Sequence, residues 1–189
     1  MIVPSTPDSL AGRLLLAMPD MPDPRFRRSV IAMCIHDEGG ALGIALGEPV
    51  ESLGLHELLE SFDIVPSGVG DMPVLAGGPM EPRRGFVLHG TDWLTDDSIV
   101  IGEDLALTGS LDVLRAIGTG LGPQHFLVAL GYAGWGRGQL ERELSHPGWF
   151  LSAISPRKLF DTAPEGRWAE AFASEGIDPA MLAASSGEA

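Results

Sequence analysis

Leu127 to Leu144 reads LVALGYAGWGRGQLEREL, an apolar run that passes through spaced glycines and two aromatic rings into a charged, helix-like pattern. The apolar part predicts a buried strand and QLEREL predicts the helix after it. Gly131, Gly134, Gly136 and Gly138 give the junction the backbone freedom that other residues lack. Two readings of the junction stand side by side. In the first, Tyr132 and Trp135 flank a ligand held against the exposed amides at the start of the helix, near Gln139. In the second, the rings cap the core and the glycines only let the chain cross.

Working outward, strands and helices interleave without a strict strand–helix–strand rhythm. Upstream, RLLLAM predicts a strand, the proline-bearing MPDMPDPRFRRS an irregular loop, and VIAMCIH a buried strand. DEGG then reads as a hairpin turn and ALGIALG as the returning strand. Leu55, Leu58, Leu59 and Phe62 recur at helical spacing, which predicts an amphipathic helix over 52–62. MPVLAGGPM and RRGFVLHG read as strands about a glycine turn, and SIVIGEDLALTG as one further strand. SLDVLRAIGTG predicts a helix with Ser110 as its N-cap. Downstream, GWFLSAIS reads as a strand, and PRKLFDT and PEGRWAEAFASEGI as short helices. The expectation is one α/β (α+β) domain over 13–180, a mixed sheet covered by helices in a three-layer sandwich. Residues 1–12 are expected to form a loosely held arm and 181–189 a flexible tail.

The chain has 189 residues, of which 12 are basic and 26 acidic, for a formal net charge of -14. That field repels phosphate backbones and anionic lipid surfaces, so direct binding to nucleic acid or membrane is not expected. Cys34 is the only cysteine, which rules out an intrachain disulfide and suits a reducing cytoplasm. The opening that carries the apolar piece Leu14–Met18 lacks the basic n-region of a signal peptide, and the piece is too short for a span of ~20 residues, so a cytoplasmic location is expected.

No phosphate-binding glycine–lysine loop and no dinucleotide fingerprint occurs, so no cofactor is expected. His36, His56, His89, His125 and His146 are scattered rather than set at metal-ligand spacing, so no metal is expected either. Cys34 reads as a buried structural thiol. Arg25, Arg27 and Arg28 form the densest basic cluster, and guanidinium forks suit carboxylates and phosphates. Gly77 and Gly78, before Pro79, either reverse the chain or present amides to an anion. The candidate ligand-binding set is therefore Arg25, Arg28, Ser29, Gly77, Gly78, Tyr132, Trp135, Gln139 and Glu141. An enzyme would have to draw on Ser29, His36, His89, Asp112 or Glu141, and no pair of these has diagnostic spacing.

DPRFRRSV, GALGIALGEP, GGPM with RGFVLH, LTGSLDVL, GYAGWGRGQLEREL and FDTAPEGRWAEAF occur in an order that resembles the YqgE/AlgH family of bacterial proteins. The resemblance spans nearly the whole chain. It implies a single cytosolic α/β domain, a mixed sheet sandwiched by helices. It also brings a transcriptional-regulator label that no DNA-binding motif accompanies. The chain departs from the pattern where Gly47 and Glu48 replace an Asn-Arg pair and Pro147 replaces an Asn. Together these readings point to a non-catalytic, regulatory module for a small anionic ligand or a protein partner, with an enzyme or a regulator acting on DNA as the alternatives.

Overall fold

Alternation of apolar residues builds a single ten-stranded sheet, and the computed structural model describes it over residues 9–185. The first half of the chain gives β1 (Leu14–Ala17), β2 (Val30–Asp37), β3 (Gly40–Ala45), β4 (Pro49–Gly54), α1 (Leu55–Ser61), β5 (Pro73–Ala76) and β6 (Met80–Gly90). The second half gives β7 (Ile99–Ile101), β8 (Leu105–Thr108), α2 (Leu111–Gly118), β9 (Phe126–Gly136), α3 (Gln139–Leu144), β10 (Trp149–Ser152), α4 (Arg167–Ser174) and α5 (Pro179–Ser185). Of the expected arm, residues 1–8 lie outside the described residues, as do 186–189 of the expected tail. Within the described part, the Leu10 amide donates to His36 Nδ1 at 3.0 Å and the Gly12 amide to the Met33 carbonyl at 2.7 Å. No helix among the described residues is long and apolar enough to cross a membrane.

The sheet runs β10-β1-β2-β3-β9-β6-β8-β7, with β4 and β5 attached through a parallel pairing of β5 with β9. All its other pairings are antiparallel, so the sheet is mixed and the chain is α+β. Two local readings are corrected. SIVIGEDLALTG is a hairpin, because Gly102 adopts φ +62 and turns β7 into β8. The helix expected from Ser52 starts only at Leu55, since Pro49 to Gly54 pairs as β4 with β5. Its first turn is capped from a distance, by the Asp71 carboxylate accepting from the His56 amide at 3.0 Å. That bond holds the Asp71 carboxyl below its ordinary range. Ser110 does occupy the N-cap position of α2, but its side chain makes no capping bond.

β9 organises the whole. Its first half pairs with β6 and β5, and its last residues pair with β3. Gly131 sits at the handover with φ +78, opposite the irregular stretch of β6 between Met80 and Gly85, and the side-chain alternation of β9 reverses across it. Before it, Leu127 and Ala129 point to the inner face; after it, Tyr132 does so, while Ala133 and Trp135 join an outer cluster. The inner cluster gathers Leu14, Leu16, Val30 and Ala32 from one side of the sheet and Leu88, Leu107 and Leu127 from the other. The sheet therefore curls until its two halves share one core, plugged by Trp168 and Phe172 of α4. On the outer face α1 and α2 cover Val74, Val87 and Val128, and α3 sets Leu140 against Ile31 and Met33.

Candidate functional site

Two loops meet the end of β9 where that strand passes from β5 to β3, and the expected Gly-Trp-Gly junction is itself strand, with Trp135 paired to Ala41. The Gly77 carbonyl accepts from the Ala45 amide at 2.8 Å, and its own amide donates to the Leu130 carbonyl at 2.8 Å. A side chain at Gly77 would strike the Gly131 carbonyl, and one at Gly78 would strike the Tyr132 backbone. The Gly-Gly-Pro turn is thus a close backbone crossing, and it delivers Pro79 to the surface beside Ala133. The arginine loop arrives from the other side. Asp23 caps a short 3-10 turn, Pro24–Phe26, by accepting from the Arg25 amide at 3.0 Å. Arg28 then takes φ 56, a strained angle for a residue with a side chain, before the Ser29 carbonyl joins β1 through the Ala17 amide at 2.9 Å.

Between these loops lie two adjoining hollows of about 530 and 220 Å³, which share Arg25, Phe26, Pro79 and Ala133 as a common ridge. The smaller hollow is lined by Arg27, Arg28, Ser29, Gly47, Glu48 and Gly78. The larger holds Trp135, Gln139, Arg142, Glu143, His146 and Trp149. Phe26 meets Trp149 edge-on at 5.8 Å and gives the ridge an aromatic flank.

The charges at the two ends differ in availability. Arg25 is bound to Asp23, with Nη2 2.6 Å from Oδ2, and that bond pulls the Asp23 carboxyl below its ordinary range. Arg27 and Arg28 form no ion pair among the described residues. Arg28 lies over the Trp168 ring at 4.8 Å, which orients its guanidinium without neutralising it. In the larger hollow, Trp135 Nε1 donates to Glu143 Oε2 at 2.9 Å and Gln139 Nε2 to Glu143 Oε1 at 3.1 Å. Gln139 Oε1 in turn accepts from the Gly136 amide at 2.9 Å. The indole is fixed as a wall with its polar edge already satisfied.

Arg25, Arg28, Ser29, Gly78, Trp135 and Gln139 from the expected set all line the paired hollows. Gly77, Tyr132 and Glu141 do not. Gly77 is spent on the backbone crossing. Tyr132 faces the inner core against Phe86 at 5.8 Å, and its phenol is pushed up by its hydrogen bond to Glu81, so the two rings stand on opposite faces of β9. Glu141 turns away to accept from His36 Nε2 at 2.6 Å. Phe26, Pro79, Ala133 and Glu143 also line the hollows and lie outside the expected set. The spacing of Gln139 and Glu143, four apart on one helix face, was the one available signal for the last of them.

The residues an enzyme would need are scattered. His36 uses Nδ1 to accept from Leu10 and Nε2 to donate to Glu141, so both ring nitrogens are engaged in holding the fold. His89 is fully buried, donating from Nδ1 to the Gly90 carbonyl and accepting at Nε2 from Thr108. Asp112 pairs with Arg115 at 3.2 Å on the exposed side of α2. Cys34 is buried and its thiol is pushed up to about 12 by that burial, the state of a structural thiol. Among the described residues no group of three or more His, Cys, Asp or Glu could hold a metal ion.

The chain is thus a curled, mixed α+β sheet with a cationic and aromatic pair of hollows beside a glycine crossing. The AlgH-like family model matches residues 14–180, and the chain belongs to that family. A UPF0301 protein of Rhizorhabdus wittichii is 53% identical over 97% of this chain and 98% of its own length. Another from Novosphingobium aromaticivorans is 53% identical over 98% of this chain and all (100%) of its own. The solution structure of the AlgH protein from Pseudomonas aeruginosa superposes with a TM-score of 0.77 at 39% identity, covering 99% of this chain and 100% of that one. A crystal structure of a Corynebacterium diphtheriae protein shares the fold at TM-score 0.73 and 18% identity, covering 94% and 93% of the two chains.

Proposed function

We propose that this chain is a non-catalytic, cytoplasmic binding module with a regulatory role, and that its paired hollows take a small anionic ligand. The observation that carries the reading is the convergence of the arginine loop, the Gly-Gly-Pro turn and the Gly-Trp-Gly end of β9 on one continuous surface, where Arg27 and Arg28 form no ion pair among the described residues although Glu48 lines the same hollow. Unpaired guanidinium groups beside a strained backbone and an aromatic wall suit a phosphate or carboxylate attached to an apolar or planar body. Among the described residues no histidine or carboxylate is hydrogen-bonded to the Ser29 hydroxyl, which favours binding over hydrolysis or transfer. A net charge of -14 opposes a DNA-acting regulator, since only a local cationic patch would face the phosphates.

Thermal-shift screening against phosphorylated metabolites and small polycarboxylates tests this reading. Stabilisation of the wild-type protein, lost in Arg28→Ala and reduced in Trp135→Ala, supports it. A panel that leaves the wild-type transition unmoved removes its support.

A further inference from the structure

A third hollow, of about 350 Å³, shares no lining residue with the other two. It lies beside α2, where Leu58, Phe62, Leu114 and Leu130 form apolar walls and Phe62 remains 45% exposed. Its polar features are few and of one kind. Arg83 is the only charged side chain lining it, and among the described residues Arg83 has no ion pair, whereas its neighbour Arg84 is bound to Glu81. Ser110, at the start of the eight-residue helix α2, also lines it. The Ser110 hydroxyl oxygen is buried and has no hydrogen-bond partner among the described residues. A buried hydroxyl is ordinarily satisfied, and an N-cap serine ordinarily binds the helix amides, so this one is left over for something else.

We propose that this hollow binds an amphiphilic monocarboxylate of the medium-chain fatty acid class. The carboxylate lies between Arg83 and the first turn of α2, where the guanidinium, the helix dipole and the Ser110 hydroxyl all favour negative charge. The hydrocarbon chain lies against Leu58, Phe62, Leu114 and Leu130, which removes exposed apolar surface from water. An inorganic anion would leave those walls wet, and a cationic amphiphile would meet a lining with no acid.

Sodium decanoate, kept below its micellar concentration, is titrated into the full chain and followed by amide ¹H–¹⁵N correlation spectra. Saturable shifts at Arg83 and at Ser110 to Leu114 are expected. Arg83→Glu, a change at an exposed position, is expected to weaken binding by about tenfold or more, the size of a lost charge-assisted contact. Ser110→Ala is expected to weaken it as well without lowering thermal stability, because it removes an unpartnered group. Decylammonium is expected not to bind there. Absence of saturable shifts, shifts centred elsewhere, an unchanged affinity in Arg83→Glu, or decylammonium binding as tightly as decanoate overturns the proposal. Arg27 and Arg28 lie outside this hollow, so the result is independent of the paired-hollow reading.

Discussion

Trp135, Leu140 and Glu141 lie within a few residues of one another and carry different physical loads. Leu140 is 1% exposed in the outer cluster, so Leu140→Ala is expected to cost ~2–5 kcal/mol in chemical denaturation. Glu141 is half-exposed and bonded to His36, so Glu141→Gln is expected to cost under about 1 kcal/mol. The sign of its pH dependence follows from that bond, which holds the Glu141 carboxyl below its ordinary 4.5. The contribution is present above 4.5 and is lost as pH falls through the lower folded value, so wild type and Glu141→Gln should converge in acid. A gap that widens in acid contradicts this. Cys34 gives a second residue-scale test. A thiol pushed up to about 12 and sealed in the core should react with a thiol reagent only as fast as the protein unfolds. Rapid labelling of the folded protein would place Cys34 at an accessible site instead.

At the scale of elements, the glycine crossing and the His89 chain decide how the sheet holds together. Gly131→Ala forces a side chain onto a φ of +78 and toward the Gly78 carbonyl, so it should cost more than the roughly 1–2 kcal/mol of the left-handed backbone alone. A neutral result in denaturation would mean that the crossing at Gly131 relaxes freely. His89 joins β6 to β8 through Thr108, which bonds on to Ser98, and burial lowers the imidazole from its ordinary 6.5. Its stabilising effect is therefore full above 6.5 and declines as pH falls below it. A His89→Gln variant should show a shallower loss of stability over that acid range than wild type. The same elements show what the sequence could and could not disclose. Apolar runs such as Val30–His36 and the leucine spacing of α1 and α2 announce themselves. The strand Pro49–Gly54 does not, because none of its residues is buried and Ser52 interrupts it with a positive φ. The side of β9 on which Trp135 lies is hidden too, since simple alternation places it with Leu127 and Ala129 until the positive-φ Gly131 reverses the order.

Across the whole molecule, the curl of the sheet is what brings two loops and the end of β9 onto one surface. Arginine chemistry and a glycine–tryptophan loop were readable as isolated candidates, and their order along the chain resembled a known family. Their meeting was not readable, because it depends on pairings between segments about a hundred residues apart, such as β3 with β9. Glu141 illustrates the gap at site level: its sequence neighbours line the larger hollow, while its own side chain closes a contact with β2. The central claim is that the surface around Arg27 and Arg28 is an anion site in a protein whose overall charge disfavours anions. The most direct measurement is a titration of the wild-type chain with pyrophosphate in physiological salt, followed residue by residue in ¹H–¹⁵N spectra. Saturable shifts confined to Arg27, Arg28, Ser29, Gly47 and Gly78, abolished in Arg27→Glu/Arg28→Glu, are expected; no saturable response at these residues, or one that survives the charge reversal, contradicts the account.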